Sequence, residues 1–114
     1  MTVSALSRRT NTVTATFDLS FIPGMARLGP DGHPWVTDAD NGRCVLYSLD
    51  GAEGHDIATG DGAHGVAFSA SGRTAYVTNQ MAGTVSVIDV RSHTVVRTLA
   101  VGTKPNGLVF RPAR

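Results

Sequence analysis

Four histidines, nine acidic residues and a lone cysteine are the side chains of this 114-residue sequence best suited to acid–base, nucleophilic or metal chemistry. None of His33, His55, His64 and His93 lies one helical turn from another or beside Cys44, so the spacing of a zinc site is absent and no metal is expected. Asp38-Ala39-Asp40-Asn41-Gly42 is dense in oxygens, but a calcium loop of EF-hand type wants an oxygen ligand at its fifth position and a glutamate at its twelfth. Counted from Asp38, those positions are Gly42 and Leu49, so the stretch reads as a hairpin tip. Gly60-Asp61-Gly62-Ala63-His64-Gly65 copies the glycine spacing of a dinucleotide loop, yet it joins strand to strand instead of opening a helix. No Ser-His-Asp order or nucleophile elbow can be assembled. Glu53, the only glutamate, sits in a tight turn beside Gly54-His55-Asp56, a poor place for a general acid. No cofactor is expected. Cys44 opens a strand, reads as a small buried apolar residue, and leaves no partner for a disulfide.

The elements that carry these residues repeat. Val36-Thr37-Asp38 overlays Val77-Thr78-Asn79, Trp35 overlays Tyr76 and Gly42 overlays Gly83, all at an offset of about 41 residues. The offset drifts by one residue in the loops, where Gly65 meets Gly107 and Phe68 meets Phe110. Thr12-Val13 and Phe17 join the pattern at twice that spacing, ahead of Thr94-Val95 and Leu99. Short runs such as Thr84-Val85-Ser86-Val87-Ile88-Asp89 alternate with period two and are rich in β-branched residues, which suit a pleated, half-buried surface. Glycine at Asn41-Gly42 and Ala82-Gly83 supplies the positive φ of tight hairpins, whereas Arg91-Ser92-His93 reads as a polar turn with no special backbone demand.

A period near 40 made of strands and turns is the mark of propeller blades, none of which buries its apolar face alone. The expected fold is therefore all-β: four-stranded antiparallel blades, two of them whole, with one orphan strand at each end. Residues 1–10 read as a flexible segment and 11–112 as one repeat unit. Within it, blade 1 covers about 24–59 and blade 2 about 65–99, flanked by strands at 12–19 and 107–110. Such a partial propeller leaves faces that must be covered by further blades of a longer propeller, by copies closing a ring, or by a partner.

A net charge of +1, with one lysine and nine scattered arginines, gives no basic stripe, so nucleic acid is not expected as a partner. No apolar run of about 20 residues is present, so no membrane span is expected. Arg8-Arg9 is not followed by the apolar body of a secretory signal.

Tyr76-Val77-Thr78-Asn79, together with Thr84 to Asp89, Thr94-Val95-Val96 and the linker Val101 to Gly107, resembles the YVTN-type β-propeller repeat, over roughly residues 60–112. The earlier unit, with Gly29-Pro30-Asp31-Gly32 before Trp35, is similar to blades of streptogramin-lyase-like propellers, and both belong to a WD40-like class of fold. The resemblance implies bacterial relatives that are often periplasmic or extracellular, and packing of Tyr76 and Trp35 between blades. A streptogramin-lyase-like catalytic set would need histidine and glutamate on neighbouring inner loops, and that pairing is missing here.

In a propeller the loops entering inner strands converge on the channel mouth. His64 and Asn106 take that place on adjacent blades, with Asp61 and Lys104 on the same loops, and these four are the candidate ligand contacts; hydrogen bonds to neighbouring backbone are the competing role. No catalytic residue is assigned. The function expected is non-enzymatic binding or scaffolding of a protein, carbohydrate or small ligand. The alternative is a share in an enzymatic propeller of lyase or lactonase type, completed by other blades.

Overall fold

The computed structural model describes residues 1–111, Glu53 by its backbone alone, and these residues form ten β-strands and no helix. Strands β1 (Thr2–Ser7) and β2 (Thr12–Asp18) make an antiparallel hairpin. Blade 1 is the meander β3 (Pro23–Leu28), β4 (Pro34–Asp38), β5 (Arg43–Tyr47) and β6 (Glu53–Ala58). Blade 2 repeats it with β7 (Ala63–Phe68), β8 (Thr74–Asn79), β9 (Thr84–Asp89) and β10 (Thr94–Ala100). Among the described residues no helix is long and apolar enough to cross a membrane.

The two blades agree register for register. Trp35 pairs with Leu46 and Cys44 with Ile57 in blade 1, as Tyr76 pairs with Val87 and Val85 with Leu99 in blade 2. The turn glycines Gly42 and Gly83 take φ of 62° and 69°, a conformation that glycine reaches without steric cost. The turn at 91–93 departs from its expectation. His93 adopts φ 57° at the position where blade 1 has Gly51 at 93°, because both turns follow the same path. The His93 N–H bonds the Asp89 carbonyl at 2.8 Å and Ser92 caps the Asp89 carboxylate, which holds this backbone in place.

Alternation divides each blade into two faces. Trp35, Cys44, Leu46 and Ile57 leave blade 1 to meet Ala63, Val66, Ala75, Val77, Ile88 and Val90 of blade 2, forming the main core. Trp35 is fully buried and meets Phe68 edge to face at 5.2 Å. On the other side of blade 1, Val36, Val45 and Tyr47 are covered by Phe17, Leu19 and Phe21 of the hairpin and its linker. Phe17 and Tyr47 stand 5.1 Å apart.

Both chain ends correct the sequence reading. Residues 1–10 contain β1 in place of a flexible segment, and the expected outer strand at 12–19 is β2, paired along its length with β1. Val3 and Ala5 turn inward while Thr2 and Ser4 face out, and Asn11 closes the turn at φ 55°, a left-handed residue that gave no glycine signal. At the other end, residues 107–110 form no ladder. They nevertheless lie where an inner strand belongs: the Asn106 carbonyl accepts from Thr78, and Phe110 stacks on Tyr76 at 6.4 Å. A strand needs a neighbour to hydrogen-bond with, and 107–110 has none on its ladder edge. Tyr76, expected in the core between blades, is only partly buried, because the face it occupies has no blade against it.

Candidate functional site

The motif threonines are what join one blade to the next. Each inner strand shifts register near its start, between Pro23 and Ala26 in β3 and between Ala63 and Val66 in β7. The shift frees a backbone N–H, and a threonine hydroxyl takes it up: Thr37 Oγ1 accepts from Met25 N–H at 2.9 Å, and Thr78 Oγ1 from Gly65 N–H at 2.8 Å. Each hydroxyl then donates across the seam, Thr37 to the His64 carbonyl at 2.7 Å and Thr78 to the Asn106 carbonyl at 2.5 Å. Glycine is required beside this joint. A Cβ on Gly24 would stand 2.9 Å from Thr37 Oγ1, and one on Gly65 would stand 2.8 Å from the Asn106 carbonyl oxygen.

His64 and Asn106 thus occupy equivalent places, as the sequence suggested, but what fixes each is its carbonyl. His64 lies on β7 itself and not in the loop before it. Its ring Nδ1 is buried with no protein partner. The Asn106 side chain is exposed. Asp61 is exposed, and its carbonyl receives the N–H groups of Met81 and Ala82, tying the linker before β7 to the β8–β9 turn. Lys104, at φ 52°, lines a cleft of about 430 Å³ with Gln80, Met81, Ala82, Gly83 and Thr103. Among the described residues no hydrogen bond or ion pair links any two of these four side chains.

Beside them lies a polar layer that sequence reasoning read only as turns. Asp38 is fully buried at the end of β4 and accepts from Arg43 Nε at 2.7 Å and Asn41 Nδ2 at 2.8 Å; Arg43 also reaches Asp56 at 2.8 Å. Burial works to raise the Asp38 carboxyl, but the hydrogen bonds from Arg43 and Asn41, with the Arg43 charge, outweigh it and hold the group below its ordinary value. One repeat on, Asn79 is also fully buried and donates from Nδ2 to Thr84 Oγ1 at 3.1 Å and Ser86 Oγ at 3.0 Å. Its Oδ1 has no partner. Ala63, the residue before His64, pairs with Asn79 across the ladder, so the two unpartnered polar atoms lie at one end of one blade.

The opposite end of the seam holds a second cluster. His93 lies 3.5 Å from Asp31 and packs its ring near those of His33, His55 and Trp35. Asp31 also accepts from Trp35 Nε1 at 3.1 Å, and His33 Nδ1 stands 3.0 Å from the Tyr47 carbonyl. A cleft of about 510 Å³ opens there between Asp31, His33, Arg73, Arg91 and His93. These side chains come from different turns, so no local spacing announces them. Among the described residues no three His, Cys, Asp or Glu side chains are placed to hold a metal ion. Cys44 is fully buried, and burial pushes its thiol far up, which makes it unreactive in the fold.

Repeated meanders, a shared seam and threonine joints define a partial β-propeller. No protein-family profile matches the chain, and no curated protein matches it. Solved β-propeller proteins do. Kuenenia stuttgartiensis hydrazine synthase is 26% identical with a TM-score of 0.81, over 93% of this chain and 32% of that one. Dihydro-heme d1 dehydrogenase NirN in complex with DHE is 20% identical with a TM-score of 0.76, over 97% and 26%. The Myceliophteria thermophila Cps50 (Swd1) β-propeller domain is 15% identical with a TM-score of 0.72, over 85% and 31%. The chain thus spans about a third or less of the length of these structures. Two of the three are named as enzymes and the third is not, so the shared fold leaves function to the site.

Proposed function

We propose that this chain is a non-enzymatic segment of a β-propeller of YVTN type, whose channel-mouth end binds a protein, carbohydrate or small ligand. The observation that carries this reading is the coincidence of His64 Nδ1 and Asn79 Oδ1, both buried and unpartnered, at the end where Asp61, Lys104 and Asn106 are exposed. Buried polar atoms without a partner cost free energy, and they are retained where a ligand or water can complete them. An imidazole nitrogen and an amide oxygen at one end of a blade can both hydrogen-bond, which suits hydroxyl and amide groups. Three further polar groups at this end are committed to structure: Thr37 and Thr78 join blades, and Asp38 is held by Arg43.

The alternative is a share in an enzymatic propeller of lyase or lactonase type, and the enzyme names among the structural neighbours favour it. Amide and imidazole NMR of the chain, titrated with neutral oligosaccharides and short peptides, separates the two. Binding predicts shifts clustered at Asp61, His64, Asn79, Lys104 and Asn106 that weaken in His64→Ala. Shifts confined to the His33 and His93 end would refute the assignment of the site. Hydrolysis of a lactone probe, lost in His64→Ala, would refute the non-enzymatic reading.

A further inference from the structure

We propose that the cleft between the β3–β4, β7–β8 and β9–β10 turns binds a small ligand through a phosphate or sulfate group, held by Arg73 and Arg91 with His33 and His93 beside them. This cleft of about 510 Å³ lies at the end of the seam opposite the channel mouth, and its walls all belong to blades 1 and 2. The Val90 N–H bonds the Arg73 carbonyl at 2.9 Å, which ties together the two turns that carry the arginines.

The cleft holds positive charge without a matching negative charge. Arg73 and Arg91 are exposed, and among the described residues their guanidinium groups make no hydrogen bond or ion pair. The two carboxylates nearby are already engaged. Asp31 accepts from Trp35 Nε1 at 3.1 Å and from the His33 N–H at 3.2 Å, and it stands 3.5 Å from His93. Asp89 accepts from the Ser92 hydroxyl at 2.5 Å and the Ser92 N–H at 3.1 Å. Positive groups gathered in a concave site repel one another, and an anion between them relieves that repulsion.

The imidazoles are placed in advance. A carbonyl only accepts, so the 3.0 Å contact of His33 Nδ1 with the Tyr47 carbonyl fixes the hydrogen on Nδ1 and leaves Nε2 for another partner. His93 is confined by its turn at φ 57°, by the His55 ring at 4.3 Å and by the Trp35 ring at 6.2 Å. A planar guanidinium offers parallel N–H groups to an oxyanion, and two such forks from different turns suit the several oxygens of a phosphate or sulfate better than the pair on a carboxylate. One repeat earlier Asp50 stands where blade 2 has Arg91, so the basic lining belongs to this seam and does not follow from the repeat itself. The site draws on neither His64 nor Asn79 at the far end.

Inorganic phosphate is the probe, titrated into the whole chain at low ionic strength and followed by amide, guanidinium and imidazole NMR. Saturable one-to-one shifts should gather at His33, Arg73, Arg91 and His93. Arg73→Gln and Arg91→Gln each remove one fork and no hydrogen bond of the fold, so melting should match the parent while phosphate affinity falls about tenfold in each. Arg8→Gln, in the β1–β2 turn, should leave affinity unchanged. In the parent, sulfate should displace phosphate and acetate at the same concentration should not. No saturable shift, shifts gathered at the channel-mouth end, or undiminished binding in either Arg73→Gln or Arg91→Gln would overturn the proposal. So would an equal loss in Arg8→Gln, or displacement by acetate as effective as that by sulfate.

Discussion

Trp35 and Tyr76 occupy one position of the repeat, and truncating each to alanine separates what the repeat dictates from what packing dictates. Trp35 is fully enclosed: it meets Phe68 at 5.2 Å, donates Nε1 to Asp31, and has the seam on every side. Removing it leaves a cavity whose walls belong to two sheets joined at several points, so collapse is limited. The expected cost is about 4 kcal/mol. Tyr76 is partly open and stacks on Phe110, whose segment belongs to no ladder, so the gap can close more fully. The expected cost there is about 2 kcal/mol. For a domain of this size each kcal/mol lowers the midpoint of melting by about 4 °C, so the two variants should melt about 16 and 8 °C below the parent. Urea unfolding followed by far-UV circular dichroism measures both costs without relying on tryptophan fluorescence. Costs equal within about 0.5 kcal/mol would mean instead that both faces are equally covered.

Thr37→Val keeps the side chain's volume but leaves Met25 N–H and the His64 carbonyl without their shared partner, and should cost about 3 kcal/mol by the same urea assay. Asp38 gives a pH dependence of definite sign. Its folded carboxyl titrates below its ordinary value, so its contribution is complete above about pH 4 and is lost as pH falls through the folded value; urea midpoints from pH 6 to 2.5 should show that loss in the parent and a smaller one in Asp38→Asn. Cys44 should resist alkylation in the native chain and react only as fast as the chain opens. Iodoacetamide labelling across a urea series should therefore follow the unfolding curve.

The blades were legible because a repeated sheet leaves a double imprint. Alternation gives the strands, turn glycines give their ends, and the 41-residue offset gives the stacking. The hairpin was half legible. Phe17 betrayed β2 through its distance from Leu99, but β1 carries only Val3 and Ala5 on its inner side, and its turn is closed by Asn11 without glycine. The candidate site was legible as a location and not as chemistry. Equivalent positions placed His64 and Asn106 at one end, but that their carbonyls would take the threonine hydroxyls depends on a register shift in the inner strands, which no spacing encodes. The cluster of Asp31, His33, His55 and His93 was invisible for a related reason, since it gathers two turns and strand β6 from two blades.

The threonine joint explains why so short a motif can mark a whole architecture. A β-bulge at the start of an inner strand exposes one N–H, and a hydroxyl one strand away can satisfy it while donating its single hydrogen onward. Valine cannot do either, and serine, lacking the methyl, would fill the site less well and be less confined in rotamer. The preceding valine points to the opposite face, where Val36 and Val77 pack against the previous unit. The residue after the threonine ends the strand and is buried in both blades, as Asp38 and Asn79. Three consecutive positions thus serve the previous blade, the next blade and the channel-mouth end in turn. Only the last of the three differs between the repeats, as carboxylate or amide: Asp38 is saturated by Arg43 and Asn41, whereas Asn79 keeps an oxygen without a partner. That difference leaves the unsatisfied side-chain acceptor of the pair in the second blade.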